Sequence, residues 1–212
     1  MSAARARSQR SADSGSTPTD EPSAKPVRGG LTPPYLFAFL RAVNLGKHNK
    51  VPMKRLMELL AERDFPPAAY LLASGNIVFG PSEGGHARLA ADLERLIADE
   101  FGVDTAVIYR TPEELQEAVD ANPFSVPPGG SVHLALWNSG ENVPDEKRAE
   151  LAGIDAGDDS LKLIGDAAYL RFAVTSHTSK LSNQLLQRRL GVRSTARNLN
   201  TMLRLLERWP AA

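Results

Sequence analysis

"AAYLLASGNIVFG", residues 68–80, is the stretch on which the architecture turns. Two apolar runs, 68–73 and 76–80, flank Ser74-Gly75. Glycine supplies a positive φ at no steric cost, and Asn76 can bond to nearby backbone, so the pair reads as a turn between two strands. Upstream, "PYLFAFLRAV" (34–43) has the unbroken apolar character of a buried strand. Pro52 then suits the first turn of a helix, with Leu56, Leu59 and Leu60 spaced to face a core. Downstream, Leu89, Leu93, Leu96 and Ile97 mark a second amphipathic helix, and "VDTAVIYR" (103–110) a fourth strand.

The resulting order, β-α-β-β-α-β, is the split βαβ of ferredoxin-like folds. A second copy of that order follows a helix at 112–121, whose opening "TPEE" offers a Thr cap and a proline at the first helical position. "SVHLALW" (131–137) reads as a strand and 144–152 as a helix. "LKLI" and "AYLRFAV" flank Gly165-Asp166, a pair suited to a tight hairpin. A helix over 179–190, a short extended piece at 192–194 and a helix over 198–209 complete the chain. The expectation is an α+β protein of two ferredoxin-like (βαββαβ) halves packed as one compact unit. Residues 34–110 form the first half, 111–130 a connecting helix and loop, and 131–209 the second half.

Residues 1–33 are rich in Ser, Ala, Pro and Gly, with one Leu and one Val. Such a segment buries too little apolar surface to offset its ordering entropy and is expected to be a disordered tail. Its first twelve residues hold three Arg and no acid, a faint transit-peptide pattern, but there is no apolar core of a secretory signal. The 212-residue chain has no Cys, which excludes disulfides and thiolate ligands and suits a cytoplasmic protein. No apolar run approaches the roughly 18 residues of a membrane span. Formal charge is zero, yet it is segregated: residues 171–209 carry eight Lys and Arg against Glu207 alone, and 81–160 carry seventeen acids against five basic residues. A basic region of that kind attracts anionic ligands, although most charge runs are simply solvated faces.

"RAVNLGKHNKVP" (41–52) holds four basic residues and no acid. Arg41, Asn44, Lys47, Asn49 and Lys50 supply donors, Gly46 permits left-handed backbone, and the helix start after Pro52 favours phosphate or carboxylate. The spacing fits neither phosphate-loop nor dinucleotide fingerprints, so no particular nucleotide is implied. An ordinary solvated loop explains the same residues. A second basic stretch, 175–202, places Lys180, Asn183, Gln184 and Gln187 on one helical face. Arg197 precedes the last helix, Asn198 can cap it, and Asn200 lies in its first turn.

"FLRAVNLGKHNKVPM", "YLLASGNIVF", "ANPF" and "SKLSNQLLQRRLGVRSTARNLNTMLRL", in this order over about 35–209, resemble the bacterial domain-of-unknown-function family 1697. The resemblance implies paired ferredoxin-like halves and no settled activity. By position it singles out Arg41, Asn44, Gly46, Asn49, Pro52, Ser74, Gly75, Asn76, Lys180, Leu181, Asn183, Arg197, Asn198 and Asn200. Ala42 stands where the family often has Gly, and Lys47 where a small residue is usual.

Ser74, Gly75 and Asn76 are expected at the opposite sheet end from the 44–50 loop, as a structural turn or a separate second site. "LLASGN" lacks the first glycine of a nucleophile elbow, and His48, His86, His133 and His177 show no metal-ligand spacing, so no metal, cofactor or reaction is assigned. The reading is a binder of a small anionic or phosphorylated ligand through a basic Asn/Lys/Arg site, with no membrane partner. The alternative is nucleic-acid binding by the basic C-terminal helices, since "LLQRRLGVRSTARNL" has a helix-turn-helix rhythm.

Overall fold

The computed structural model describes residues 30–211. The first half comprises β1 (Leu36–Leu40), α1 (Met53–Glu62), β2 (Ala68–Leu71), β3 (Asn76–Phe79), α2 (His86–Phe101) and β4 (Val107–Arg110). After α3 (Pro112–Asp120) come β5 (Ser131–Leu136), α4 (Asp145–Ala152), β6 (Ser160–Ile164), β7 (Ala167–Phe172), α5 (Asn183–Leu190), β8 (Thr195–Asn198) and α6 (Leu199–Arg208). Each half holds an antiparallel four-stranded sheet, in the orders β2-β3-β1-β4 and β6-β7-β5-β8. These are equivalent orders, and both are the ferredoxin-like one, so the chain is α+β with two similar halves.

The unbroken apolar run in β1 follows from burial on both faces. Leu36, Ala38 and Leu40 pack with α1 and α2, while Phe37 and Phe39 point to a cluster shared with the other half. That central cluster contains Val132, Leu134, Leu136 and Tyr169 of the second sheet, Leu115 and Val119 of α3, and Met202 and Leu205 of α6. The outer face of the second sheet packs Ala135, Ala168 and Leu170 against Leu151, Leu186 and Leu190. The two sheets are thus joined back to back through one core, with α1 and α2 covering one outside face and α4 and α5 the other.

Several boundaries differ from the sequence expectation: β1 spans 36–40 within 34–43, β4 begins at Val107 rather than 103, and two more shifts lie in the C-terminal part. Helix α5 begins at Asn183 rather than Ser179, because the Ser182 hydroxyl accepts from the Leu185 N–H and caps it there. Ser179 instead donates to the Asp159 carboxylate and accepts from the Leu181 N–H. The last strand occupies 195–198 rather than 192–194: Gly191, left-handed at φ 79, ends α5, and the chain must travel three residues before pairing with β5. A strand therefore separates α5 from α6, which is incompatible with a helix-turn-helix.

Helix α3 carries the anticipated cap: Thr111 accepts from the Glu114 N–H and the Glu114 carboxylate accepts from the Thr111 N–H. Most of the expected N-terminal tail lies outside the described residues. Leu31, assigned to that tail, packs against the central cluster, and its carbonyl accepts from the Tyr35 hydroxyl at 3.4 Å. No helix among the described residues is long and apolar enough to cross a membrane.

Candidate functional site

The β2–β3 turn and the β1–α1 loop lie side by side, correcting the expectation that they occupy opposite sheet ends. β2 and β1 are each antiparallel to β3 and so run the same way. The turn after β2 therefore returns to the C-terminal end of β1. The Leu40 N–H donates to the Gly75 carbonyl at 2.8 Å, and Asn44 Nδ2 donates to the Ala73 carbonyl at 2.7 Å. Contact is close enough that a Cβ at Gly75 would meet the Leu40 Cβ at 2.7 Å, on top of a left-handed φ of +80°.

The β1–α1 loop is shaped by its own asparagines. Ala42, Asn44, Gly46 and Asn49 all have positive φ, between 50° and 56°. Asn44 Oδ1 accepts from the Val51 N–H at 2.9 Å while its Nδ2 donates to the Val51 carbonyl at 2.8 Å, imitating a strand pair. Asn49 Nδ2 donates to the Ala42 carbonyl at 3.0 Å. The Asn44 amide group is thus spent on holding the loop. Lys47, His48 and Lys50 project outward, exposed, and their side chains have no partner among the described residues.

Arg197, on β8, reaches from the second half into this corner. Its Nε donates to Asn76 Oδ1 at 2.6 Å, and one Nη to the Thr195 hydroxyl and the Ala196 carbonyl at 2.7 and 2.9 Å. The other Nη donates to the carbonyls of Leu40 and Ser74 at 2.7 and 2.8 Å. A guanidinium has five N–H donors, and here all five are used, every one on a neutral acceptor. Desolvation lowers its pKa to about 10, so it remains a cation at neutral pH. Asn76 is equally committed, donating from Nδ2 to the Leu71 carbonyl at 2.7 Å. Arg41 donates from Nε to Gln187 Oε1 at 3.0 Å, and Gln187 and Asn183 both donate to the Ser194 carbonyl.

A reciprocal arginine crosses in the other direction, which sequence reasoning missed. Arg110, the last residue of β4, is buried and donates to the carbonyls of Tyr109 and, across the seam, Trp137. Burial lowers its pKa, with Glu114 and Asp166 opposing that shift. Beside it, Asn138 accepts from the Tyr109 N–H at 3.0 Å and donates to the Val107 carbonyl at 3.0 Å, extending the edge of β4. The available signal was an arginine ending an otherwise apolar strand, "AVIYR".

The remaining sequence candidates separate. Lys180 lies before α5, exposed, 3.7 Å from Asp155. Asn198 caps α6 by accepting from the Asn200 N–H at 2.9 Å, and Asn200 is exposed. The structure therefore gathers Arg41, Asn44, Asn49, Asn183, Arg197 and the Ser74–Asn76 turn at one seam, with Lys47 and Lys50 on its loop.

The solved structure of a conserved bacterial protein from Streptococcus pneumoniae is similar in fold: TM-score 0.62, 19% identity, covering 82% of this chain and 97% of that one. No curated protein matches the chain. A family model described as "Protein of unknown function (DUF1697)" matches residues 35–169, from β1 into β7, and leaves the Arg197 segment outside the matched stretch. The match covers well over half of the chain, with all of the first half and the second as far as β7, and the chain belongs to this DUF1697 family of unknown function.

Proposed function

We propose that the protein binds a small phosphorylated or carboxylated ligand at the β1–α1 loop, through Lys47, Lys50 and the unengaged Nη1 of Arg41. The observation that carries this reading is the contrast between a laced loop and its free cations. Four left-handed residues and the Asn44 and Asn49 bonds fix the backbone, while Lys47, His48 and Lys50 face solvent with no carboxylate beside them. Arg55, Arg63, Arg95 and Arg189 are each paired with an acid, whereas Lys54, Lys162 and Arg188 are exposed and unpaired among the described residues like the loop lysines, so what sets this loop apart is the fixed backbone beneath its cations. Helix α1 also starts without a side-chain cap, leaving its first N–H groups for an anion.

Arg197, Asn44 and Asn76 support the site from beneath; their hydrogen-bonding groups are already occupied, so they hold the loop and do not touch the ligand. The test is a thermal-shift series with inorganic phosphate, nucleoside phosphates and sugar phosphates. An anion that raises Tm in the parent should lose about tenfold or more in affinity in Lys47→Ala/Lys50→Ala, as expected when charge-assisted bonds are removed. No shift with any of these at millimolar concentration would refute the reading. Binding of duplex DNA that persists at physiological salt would favour the nucleic-acid alternative.

A further inference from the structure

Arg110 differs from Arg197 in one respect: it is not saturated. Its bonds to Tyr109 and Trp137, with a long one of 3.5 Å to the Asp166 carbonyl, leave Nε and one Nη1 proton without a protein acceptor. The residue is only 6% exposed, and it lines a cleft of about 360 Å³ between α3, the end of β5 and the β6–β7 turn. Among the described residues only Trp137 Nε1 is a fully buried side-chain nitrogen or oxygen without a partner, so the unpartnered Nε of Arg110 is open to solvent, where water or a ligand can accept from it. No carboxylate lies within ion-pair distance of Arg110 among the described residues. Glu117 and Asp166 also line the cleft, with Leu136, Ile164 and Tyr169 as its apolar lining. Glu117 is exposed and its side chain has no partner. Ile164 is one of the few large apolar side chains left exposed.

We propose that this cleft is a binding site for a small zwitterion with an apolar body, of the aliphatic α-amino acid class. The ligand carboxylate accepts from the free Nε and Nη1 protons of Arg110. Its ammonium is drawn to Glu117 and Asp166, and its side chain lies on Leu136, Ile164 and Tyr169. A simple anion is disfavoured because Glu114, Glu117 and Asp166 outnumber the single guanidinium, and a simple cation is disfavoured by Arg110 itself. Only a molecule carrying both charges satisfies floor and wall together. The cleft volume is at the small end of the range for ligand pockets, which suits a single amino acid and excludes a larger cofactor. The site is independent of the β1–α1 loop.

The experiment is a calorimetric titration of the full chain with leucine, leucinamide and 4-methylpentanoate, which share the body but carry both charges, the ammonium alone or the carboxylate alone. Leucine is expected to bind at millimolar concentration or better, with each single-charge analogue weaker by about tenfold or more. Glu117→Gln should weaken leucine by a similar factor and tighten the analogue lacking the ammonium, from which it removes a repelling charge, with the melting temperature of the free protein unchanged. Arg110→Lys is the complementary variant; if it fails to fold, Glu117→Gln still decides. No binding of leucine, or equal binding of the three probes, or indifference to Glu117→Gln would overturn the proposal and leave water as the acceptor for Arg110.

Discussion

Single residues in the seam divide into those that store strain and those that relieve it. Ala42 sits at φ 53 with no side-chain bond to stabilise a left-handed backbone, unlike Asn44 and Asn49. An L-residue there costs about 1–2 kcal/mol relative to glycine. Part of that returns as the greater unfolded-state entropy of glycine. Ala42→Gly is therefore expected to stabilise the protein by about 0.5–1 kcal/mol, seen as a higher urea midpoint with unchanged slope. Arg197 is the opposite case, since its five donors serve acceptors on β1, the β2–β3 turn and β8. Lysine offers three donors without the planar fork, so at least two of the five acceptors lose this bond. Arg197→Lys should cost about 3 kcal/mol, and an unchanged denaturation midpoint would show that the guanidinium bonds are dispensable.

At the scale of elements, local sequence and tertiary pairing contribute separately. Helix α3 is fixed locally: the Thr111–Glu114 box satisfies its first turn whatever surrounds it. Thr111→Ala is expected to cost about 1 kcal/mol, and a Thr111→Ser control should recover most of it. For β8, local sequence was a poor guide. "TARN" has one β-branched residue and no apolar run, and its strand conformation comes from pairing with His133–Leu136 of β5. The beginning of α5 was equally ambiguous, because Ser179 and Ser182 are both competent caps. Asp159, twenty residues upstream, takes Ser179 and leaves the cap to Ser182.

At the scale of the molecule, the halves share the face of β1 that carries Phe37 and Phe39 and are not separable. Phe37, Phe39, Val78 and Ile108 are essentially unexposed only because the second sheet, α3 and α6 cover them. Residues 30–121 alone would keep α3 but lose the cover of the second sheet and α6, leaving much of this face to water, a liability for a soluble monomer. That fragment should show no cooperative thermal transition by circular dichroism, whereas a melt like that of the whole protein would mean the first half is autonomous. The element order, the two-faced burial of β1 and the Ser74-Gly75 turn were all legible in the sequence, because hydrophobic period and turn chemistry are local. The meeting of 41–50 with 74–76 follows from the split βαβ order itself, which sets β2 parallel to β1, so the expectation of opposite ends misjudged a topology already legible. The approach of 183–197 to both was not legible, because it depends on the back-to-back joining of the sheets. Nor could the sequence say which polar groups stay free. Asn44, Asn76 and Arg197 have the same chemistry as ligand contacts, and only three-dimensional neighbours decided that they bond to the protein's own backbone while Lys47, Lys50 and part of Arg110 do not.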